Sequence, residues 1–215
     1  MKALVVSGGE EPSSQELTKY ANLSDIIIGV DKGCQYLYDN NIVPDFIVGD
    51  FDSSNIDVIN YFDKKGSKKY QFKPEKDSTD SDIAFSLLLD MKVDEVFFLG
   101  AMGKRFDHTM GNIGLLLKAL DENIDSSIID NNNLITLINK SSRLKKIEEY
   151  KYISFLAYNS NIEEFTIKNA KYNLINYNLK VGDNRTISNE FKNDYIDISF
   201  KSGIILVIYS KDSNV

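Results

Sequence analysis

Phe46-Ile47-Val48-Gly49-Asp50-Phe51-Asp52-Ser53 is a short apolar run that empties into an acidic turn. In extended backbone, alternate residues point the same way, so Asp50 and Asp52 aim their carboxylates at one point. Two carboxylates ~4 Å apart repel by roughly 4 kcal/mol at an effective dielectric of about 20, so both stay ionised only with positive charge between them. The turn reads as a cation site at the carboxyl end of a strand.

The flanking sequence says what kind of sheet that strand joins. Ala3 to Val6, Ile26 to Val30, Val96 to Leu99 and Ser127 to Ile129 also read as strands, with helices between them. After Asp80, residues Ile83, Ala84, Leu87, Leu88 and Met91 share one helical face, and Met110, Ile113, Leu117 and Leu120 share another. Ser78 or Thr79 would cap the first of these helices. This alternation implies an α/β fold, a mainly parallel Rossmann-like sheet with helices on both faces and ligands at the carboxyl ends of its strands.

From about Asn133 the helical period vanishes. Leu134 to Ile138, Tyr152 to Tyr158, Phe165 to Ile167, Tyr195 to Phe200 and Ile204 to Tyr209 read as strands, with loops near Asn159-Ser160-Asn161 and Val181-Gly182-Asp183-Asn184. A small antiparallel β-sandwich follows from this pattern. The boundary is expected between Asn139 and Glu149, where Lys140-Ser141-Ser142-Arg143 interrupts the apolar pattern, giving domains 1–139 and 140–215.

A chain of 215 residues with 42% hydrophobic and 27% charged residues is ordinary for a globular protein. Its net charge of −7 argues against a nucleic-acid or membrane-surface partner and towards a small one. Cys34 is the single cysteine, so there is no disulfide framework or cysteine zinc cluster, and a reducing cytoplasm is expected. It reads as a small apolar filler on the helix after Gly33. No run has the length of a signal peptide or a membrane span, so a soluble protein is expected. Lys64-Lys65-Gly66-Ser67-Lys68-Lys69 reads as a solvated loop.

Four strand ends carry chemistry: Ser7-Gly8-Gly9, Asp31-Lys32-Gly33, Asp50-Phe51-Asp52, and Gly100 to His108 with Lys104 and Arg105. Lys76-Asp77-Ser78-Thr79-Asp80 opens a helix beside them. Taken singly, each has an ordinary structural reading: a turn, a helix cap, a dipole-complementing acid, a surface histidine. Converging on one sheet edge, they combine glycine turns that let backbone amides approach phosphates with carboxylates that hold a hard cation. That combination suits nucleoside triphosphate chemistry, although no Walker A sequence, kinase glycine loop or zinc motif is present.

Pro44-Asp45 with Gly49 to Ser53, then Lys76 to Asp80, then Gly103-Lys104-Arg105-Phe106-Asp107-His108 with Asn112 closely resemble the thiamine pyrophosphokinase family in order and spacing. Ile187-Ser188-Asn189-Glu190-Phe191 resembles that family's thiamine-site signature, so the likeness spans nearly the whole chain. The resemblance implies a homodimer, with the thiamine site between subunits, that moves the terminal two phosphates of ATP as one unit to the hydroxyl of thiamine, releasing AMP. Mg²⁺ is the implied cofactor. By position, Asp31, Asp50, Asp52 and Asp80 match the metal and pyrophosphate site, with Asp50, Asp52 and Asp80 as the catalytic set. Arg105, Asp107, His108 and Asn112 match the nucleotide side, joined there by Ser7, Gly8 and Gly9. Asp77, Thr79, Ser188 and Asn189 fall to the substrate.

Two positions depart from the family, which often has Gly-Gly where this chain has Lys32-Gly33 and Gly103-Lys104. If the missing glycine needed positive φ or close phosphate approach, lysine there costs about 1 kcal/mol; otherwise the lysines add phosphate contacts. The rival activities are pyrophosphoryl transfer to another heterocyclic alcohol such as a hydroxymethyl pterin, metal-dependent phosphohydrolysis, and non-catalytic nucleotide sensing.

Overall fold

The computed structural model describes residues 1–51, 55–71, 79–103 and 105–213, with the side chain of Gln71 left aside. Asp52, Asp77, Ser78 and Lys104 therefore lie outside the described residues. The chain divides into two units, Met1–Asn131 and Asn132–Val215.

In the first unit, β1 (Lys2–Val6), β2 (Ile26–Val30), β3 (Phe46–Gly49), β4 (Lys68–Gln71), β5 (Glu95–Leu99) and β6 (Asp125–Ile129) alternate with five helices. These are α1 (Ser14–Leu23), α2 (Gly33–Asp39), α3 (Ile56–Lys65), α4 (Asp80–Asp90) and α5 (Phe106–Asp121). Every strand pair is parallel and the order is β4-β3-β2-β1-β5-β6. Ala3 to Val6 of the central strand are all fully buried, the continuous apolar run that a strand covered on both faces requires. Helix starts are capped as their sequences dictate: the side chains of Ser13, Asn55 and Thr79 accept from backbone amides in the first turns of α1, α3 and α4.

Two expectations fail in this unit. The Lys64 to Lys69 segment is not a solvated loop. Lys64 and Lys65 close the last turn of α3, where cations complement the helix dipole, and Gly66 ends it at φ +95°. The Ser67 hydroxyl donates to the Pro44 carbonyl (2.6 Å), and Lys68 and Lys69 enter β4, their ammonium groups over the rings of Phe46 and Phe51. A lysine-rich edge strand discourages further pairing, which is why its composition imitates a loop. On α5 the buried face runs through Thr109, Ile113, Leu116 and Ala119, while Met110 is exposed. The stripe is rotated from the expected one and shares only Ile113 with it.

The second unit comprises β7 (Asn133–Ile138), β8 (Ser142–Lys145), β9 (Tyr152–Lys168), β10 (Leu174–Leu179), β11 (Asn189–Glu190), β12 (Tyr195–Ser199) and β13 (Ser202–Ser210). All pairings among them are antiparallel, ordered β7-β13-β9-β12-β8, with β10 and β11 also on β9. The expected loop at Asn159-Ser160-Asn161 is instead the interior of β9. Its first half pairs with β13 and its second half with β10 and β12, and Asn159 and Glu164 take positive φ (+56° and +54°) where the strand turns between ladders. Phe155, Phe165, Ile198 and Val207 bring the two ladders into one core. Six residues of β7 pair with β13, so the division at 131/132 precedes that strand, whereas the expected one at 139/140 follows it. Among the described residues no helix is long and apolar enough to cross a membrane.

Candidate active site

The strand order of the first unit reverses between β1 and β5, and at such a point the connections leave in opposite directions and open a crevice at the carboxyl ends. A cleft of about 1180 Å³ lies there. It brings together Ser7, Gly8 and Gly9 after β1, Asp31 and Lys32 after β2, Thr79 and Asp80 at the start of α4, and Arg105, Asp107, His108 and Asn112 around the start of α5. These are ten of the sequence-predicted site residues together with Lys32.

At its acidic centre Asp31 sits in a left-handed backbone conformation (φ +48°), its amide donating to the Val48 carbonyl (3.0 Å). Burial, then a hydrogen bond with the Asp80 carboxyl, then the charges of Asp80 and Asp50, push the Asp31 carboxyl up to about 7. Two carboxyl groups thus share a contact with a third in electrostatic range. The donors are all oxygen, the set a hard cation takes. Among the described residues no three acidic, His or Cys side chains converge as tightly as a metal cluster.

The floor beneath this centre is made of backbone. Ser7, Gly9 and Glu10 donate their amides to the carbonyls of Leu99 (2.8 Å), Gly100 (2.7 Å) and Met102 (2.6 Å), extending the β1–β5 ladder past the strand ends. A Cβ on Gly9 would stand 2.2 Å from the Met102 carbonyl oxygen. The expectation that this glycine turn offers its amides to phosphate is therefore corrected for Ser7 and Gly9, whose N–H groups are already used. Gly9 serves close packing of two loops.

Other predicted residues are likewise engaged. Thr79 accepts from the Asp82 amide (3.2 Å) and donates to its carboxylate (3.0 Å), a reciprocal cap on α4. Burial opposes ionisation of Asp82, but hydrogen bonds from Lys118 and Thr79 outweigh it and hold its carboxyl below the usual range. Asn112 donates its side-chain amide to the Ala101 carbonyl (2.6 Å) and so steadies the loop after β5. At the exposed rim Arg105 pairs with Asp107 at 2.6 Å, the hydrogen bond holding Asp107 below the usual carboxylate range. Lys32 lies at φ −60°, ψ −21°, ordinary helical backbone, so lysine carries no conformational cost there. Its ammonium rests 5.5 Å from the centroid of the Tyr36 ring.

In the second unit Ser188 has φ +56° and donates its amide to the Ser154 hydroxyl (2.9 Å). Asn189 is buried, its amide oxygen accepting from Tyr172 (3.0 Å) and Glu190 (2.9 Å) backbone and its NH₂ donating to the Tyr172 carbonyl (2.8 Å). It borders a pocket of about 220 Å³ with Arg185 and Ile187. Glu190 pairs with Lys171 at 2.6 Å. Sequence reasoning did not mark Glu10, which lines the cleft, or Tyr36 and Lys118, which bond to Gly9 and Asp82 at its edge; none of the three stands in a motif.

Two family models match in chain order: "Thiamin pyrophosphokinase, catalytic domain" over residues 17–128 and "Thiamin pyrophosphokinase, vitamin B1 binding domain" over residues 141–205. Both candidate domain divisions fall in the interval between them. The thiamine pyrophosphokinase of Bacillus subtilis is 35% identical over 209 residues, 97% of this chain and 98% of that one. The crystal structure of thiamine pyrophosphokinase from Bacillus subtilis superposes with a TM-score of 0.90 at 34% identity, covering 99% of this chain and 100% of the other. That of the Geobacillus thermodenitrificans protein gives 0.87 at 28% identity, covering 100% and 99%. With both models in order and a relative this similar from end to end, the chain belongs to the thiamine pyrophosphokinase family.

Proposed function

We propose that the protein transfers the β,γ-pyrophosphoryl group of ATP to the hydroxyl of thiamine, giving thiamine diphosphate and AMP. The observation that carries this reading is the Asp31–Asp80 contact, with Asp50 in range, at the reversal of strand order in a chain that belongs to this family along nearly its whole length. The first unit, as a Rossmann-like catalytic domain, takes the nucleotide. The second, as a β-sandwich, takes thiamine, and the match to a vitamin B1 binding domain favours thiamine over a pterin alcohol.

Asp31, Asp50 and Asp80, with Asp52, are the residues that would hold Mg²⁺. When bound, the ion neutralises charge on the phosphate oxygens and orients them. The chain's own side chains do the remaining work. Arg105 and Lys32 supply cationic charge at the lip of an otherwise acidic cleft, near the phosphates. Attack by the thiamine hydroxyl oxygen on the β-phosphorus breaks the bond to the α-phosphate oxygen, and AMP leaves. Asp80, the first residue of α4, is the aspartate we assign to accept the hydroxyl proton. Positioning and electrostatics supply most of the rate. In the second unit Ser188 contacts thiamine, and Asn189, whose amide is bonded to the Tyr172 backbone, shapes the wall beside it. The active species is a cytoplasmic homodimer.

Incubation with ATP, Mg²⁺ and thiamine, followed by separation of the nucleotides, tests the reaction. AMP formed in equal amount to thiamine diphosphate supports it. ADP, or phosphate release that needs no thiamine, refutes it. A fully active monomer in sedimentation refutes the dimer.

A further inference from the structure

We propose that Tyr36 is a positioning residue for the phosphate end of the nucleotide cleft, acting through the carbonyl of Gly9; this rests on the reading of that cleft as the ATP site. Tyr36 lies on α2, one turn after Lys32, and only 3% of its surface is exposed. A buried phenol needs a partner for its hydroxyl, and this one donates to the Gly9 carbonyl at 2.8 Å. The Gly9 amide meanwhile donates to Gly100 at 2.7 Å, so both backbone polar groups of one residue are held, from α2 on one side and from the loop after β5 on the other.

The turn is pinned from β5 through the amides of Ser7, Gly9 and Glu10, and Tyr36 adds a hold from the opposite side on the Gly9 carbonyl. Gly8 and Gly9 carry no side chains, and successive glycines lose more freedom on ordering than any other pair. A tether from a rigid, buried helix residue sets the cleft floor before nucleotide arrives, and a preset floor spares the nucleotide the cost of ordering it. The same ring holds the Lys32 ammonium 5.5 Å from its centroid, so it also fixes where that cation rests beside the turn.

Tyr36→Phe keeps the ring and its contact with Lys32 and removes only the hydroxyl. Equilibrium binding of a non-hydrolysable ATP analogue should weaken about 5-fold, the loss of one ordinary hydrogen bond, and KM for ATP should rise by the same factor. KM for thiamine and kcat should stay within about twofold, because the tether acts on ground state and transition state alike. Ile153→Val, which trims the core of the second unit, serves as a destabilised control and should leave nucleotide affinity unchanged. Unchanged analogue affinity in Tyr36→Phe, whether or not its melting temperature falls, makes the bond merely structural and overturns the proposal. Should the variant not fold, 4-fluorophenylalanine placed at position 36, which fills the place of the hydroxyl without donating to the Gly9 carbonyl, decides: analogue affinity about 5-fold weaker supports the tether, and unchanged affinity overturns it. A wild-type chain that binds no ATP analogue refutes the ATP-site reading and this inference together. A wild type that binds and turns over, beside an equally competent Tyr36→Phe, refutes the inference alone.

Discussion

Gly33→Ala puts a methyl group where α2 starts against the central strand. The new Cβ would lie 1.9 Å from the Val6 carbonyl oxygen, 2.6 Å from the Val6 carbonyl carbon and 3.1 Å from that of Ser7. All three are main-chain atoms of β1 and its turn, so no side chain can rotate out of the way. Relief requires the first turn of α2 to withdraw by about 1 Å, carrying Lys32 and Asp31 with it. Overpacking of this kind costs about 1–3 kcal/mol, less the ~1 kcal/mol that alanine gains over glycine in a helix. Displacing a reacting group by about 1 Å costs on the order of 10²-fold in rate. Gly114→Ala on α5 is the matched comparison: no atom lies within 4 Å of its Cβ, so the helix gains about 0.4–1 kcal/mol and activity stays. Thermal unfolding should therefore move in opposite directions for two identical substitutions, by roughly 2–4 °C per kcal/mol at this chain size. The assay is paired melting curves with kcat/KM for each variant. A Gly33→Ala protein that melts no lower than wild type and keeps full turnover would refute the backbone-contact reasoning, and a Gly114→Ala protein that melts lower would refute the comparison.

Asp50→Asn should lower kcat/KM by about 10²-fold or more while leaving the melting temperature unchanged or slightly raised, since it removes one charge from an acidic centre; unaltered turnover sinks the metal assignment. Burial pushes the Cys34 thiol up to about 12 at 1% exposure, so a thiol reagent at pH 8 should leave the native chain unmodified and label one site after unfolding. Labelling before unfolding would contradict the packing of α2. Burial likewise pushes the Tyr209 phenol up to about 12, above the ordinary value near 10 that it regains on unfolding. The folded state holds that proton more tightly, so the linked stability is intact below pH ~10 and is lost as pH rises through about 12, by at most about 2–3 kcal/mol. Denaturant titrations of wild type and Tyr209→Phe should diverge over that range, and parallel curves would refute the linkage.

Elements that bury a regular stripe were legible in the sequence. Ala3 to Val6 and Phe46 to Val48 are apolar because both faces are covered, and Thr79 announces α4 because a helix start leaves amides that need an acceptor. Elements set by long-range contacts were not. The β4 strand hides under its lysines because an edge strand buries little, and β9 looks broken at Asn159 because a strand passing between ladders loses its alternation there. The register of the α5 stripe depends on what packs against it, which a period alone does not determine.

The candidate site divides along the same line. Parallel β-α units deliver every strand-to-helix turn to one edge, so the residues that meet in the cleft follow from strand order, and ten of the predicted ones do meet there. What each polar atom does on arrival follows from partners distant in sequence. Gly9 and Asn112 look like ligand contacts when read along the chain, yet the Gly9 amide and one N–H of the Asn112 side chain go to carbonyls of the loop after β5. Tyr36, which no motif marks, reaches back 27 residues to hold Gly9. Asp31 is likewise committed to a distant partner, its carboxyl bonded to that of Asp80 and pushed up to about 7 by burial, by that bond and by the charges of Asp80 and Asp50; an acid paired with acids is an arrangement that structure alone does not favour, and perturbed groups of this kind mark functional sites.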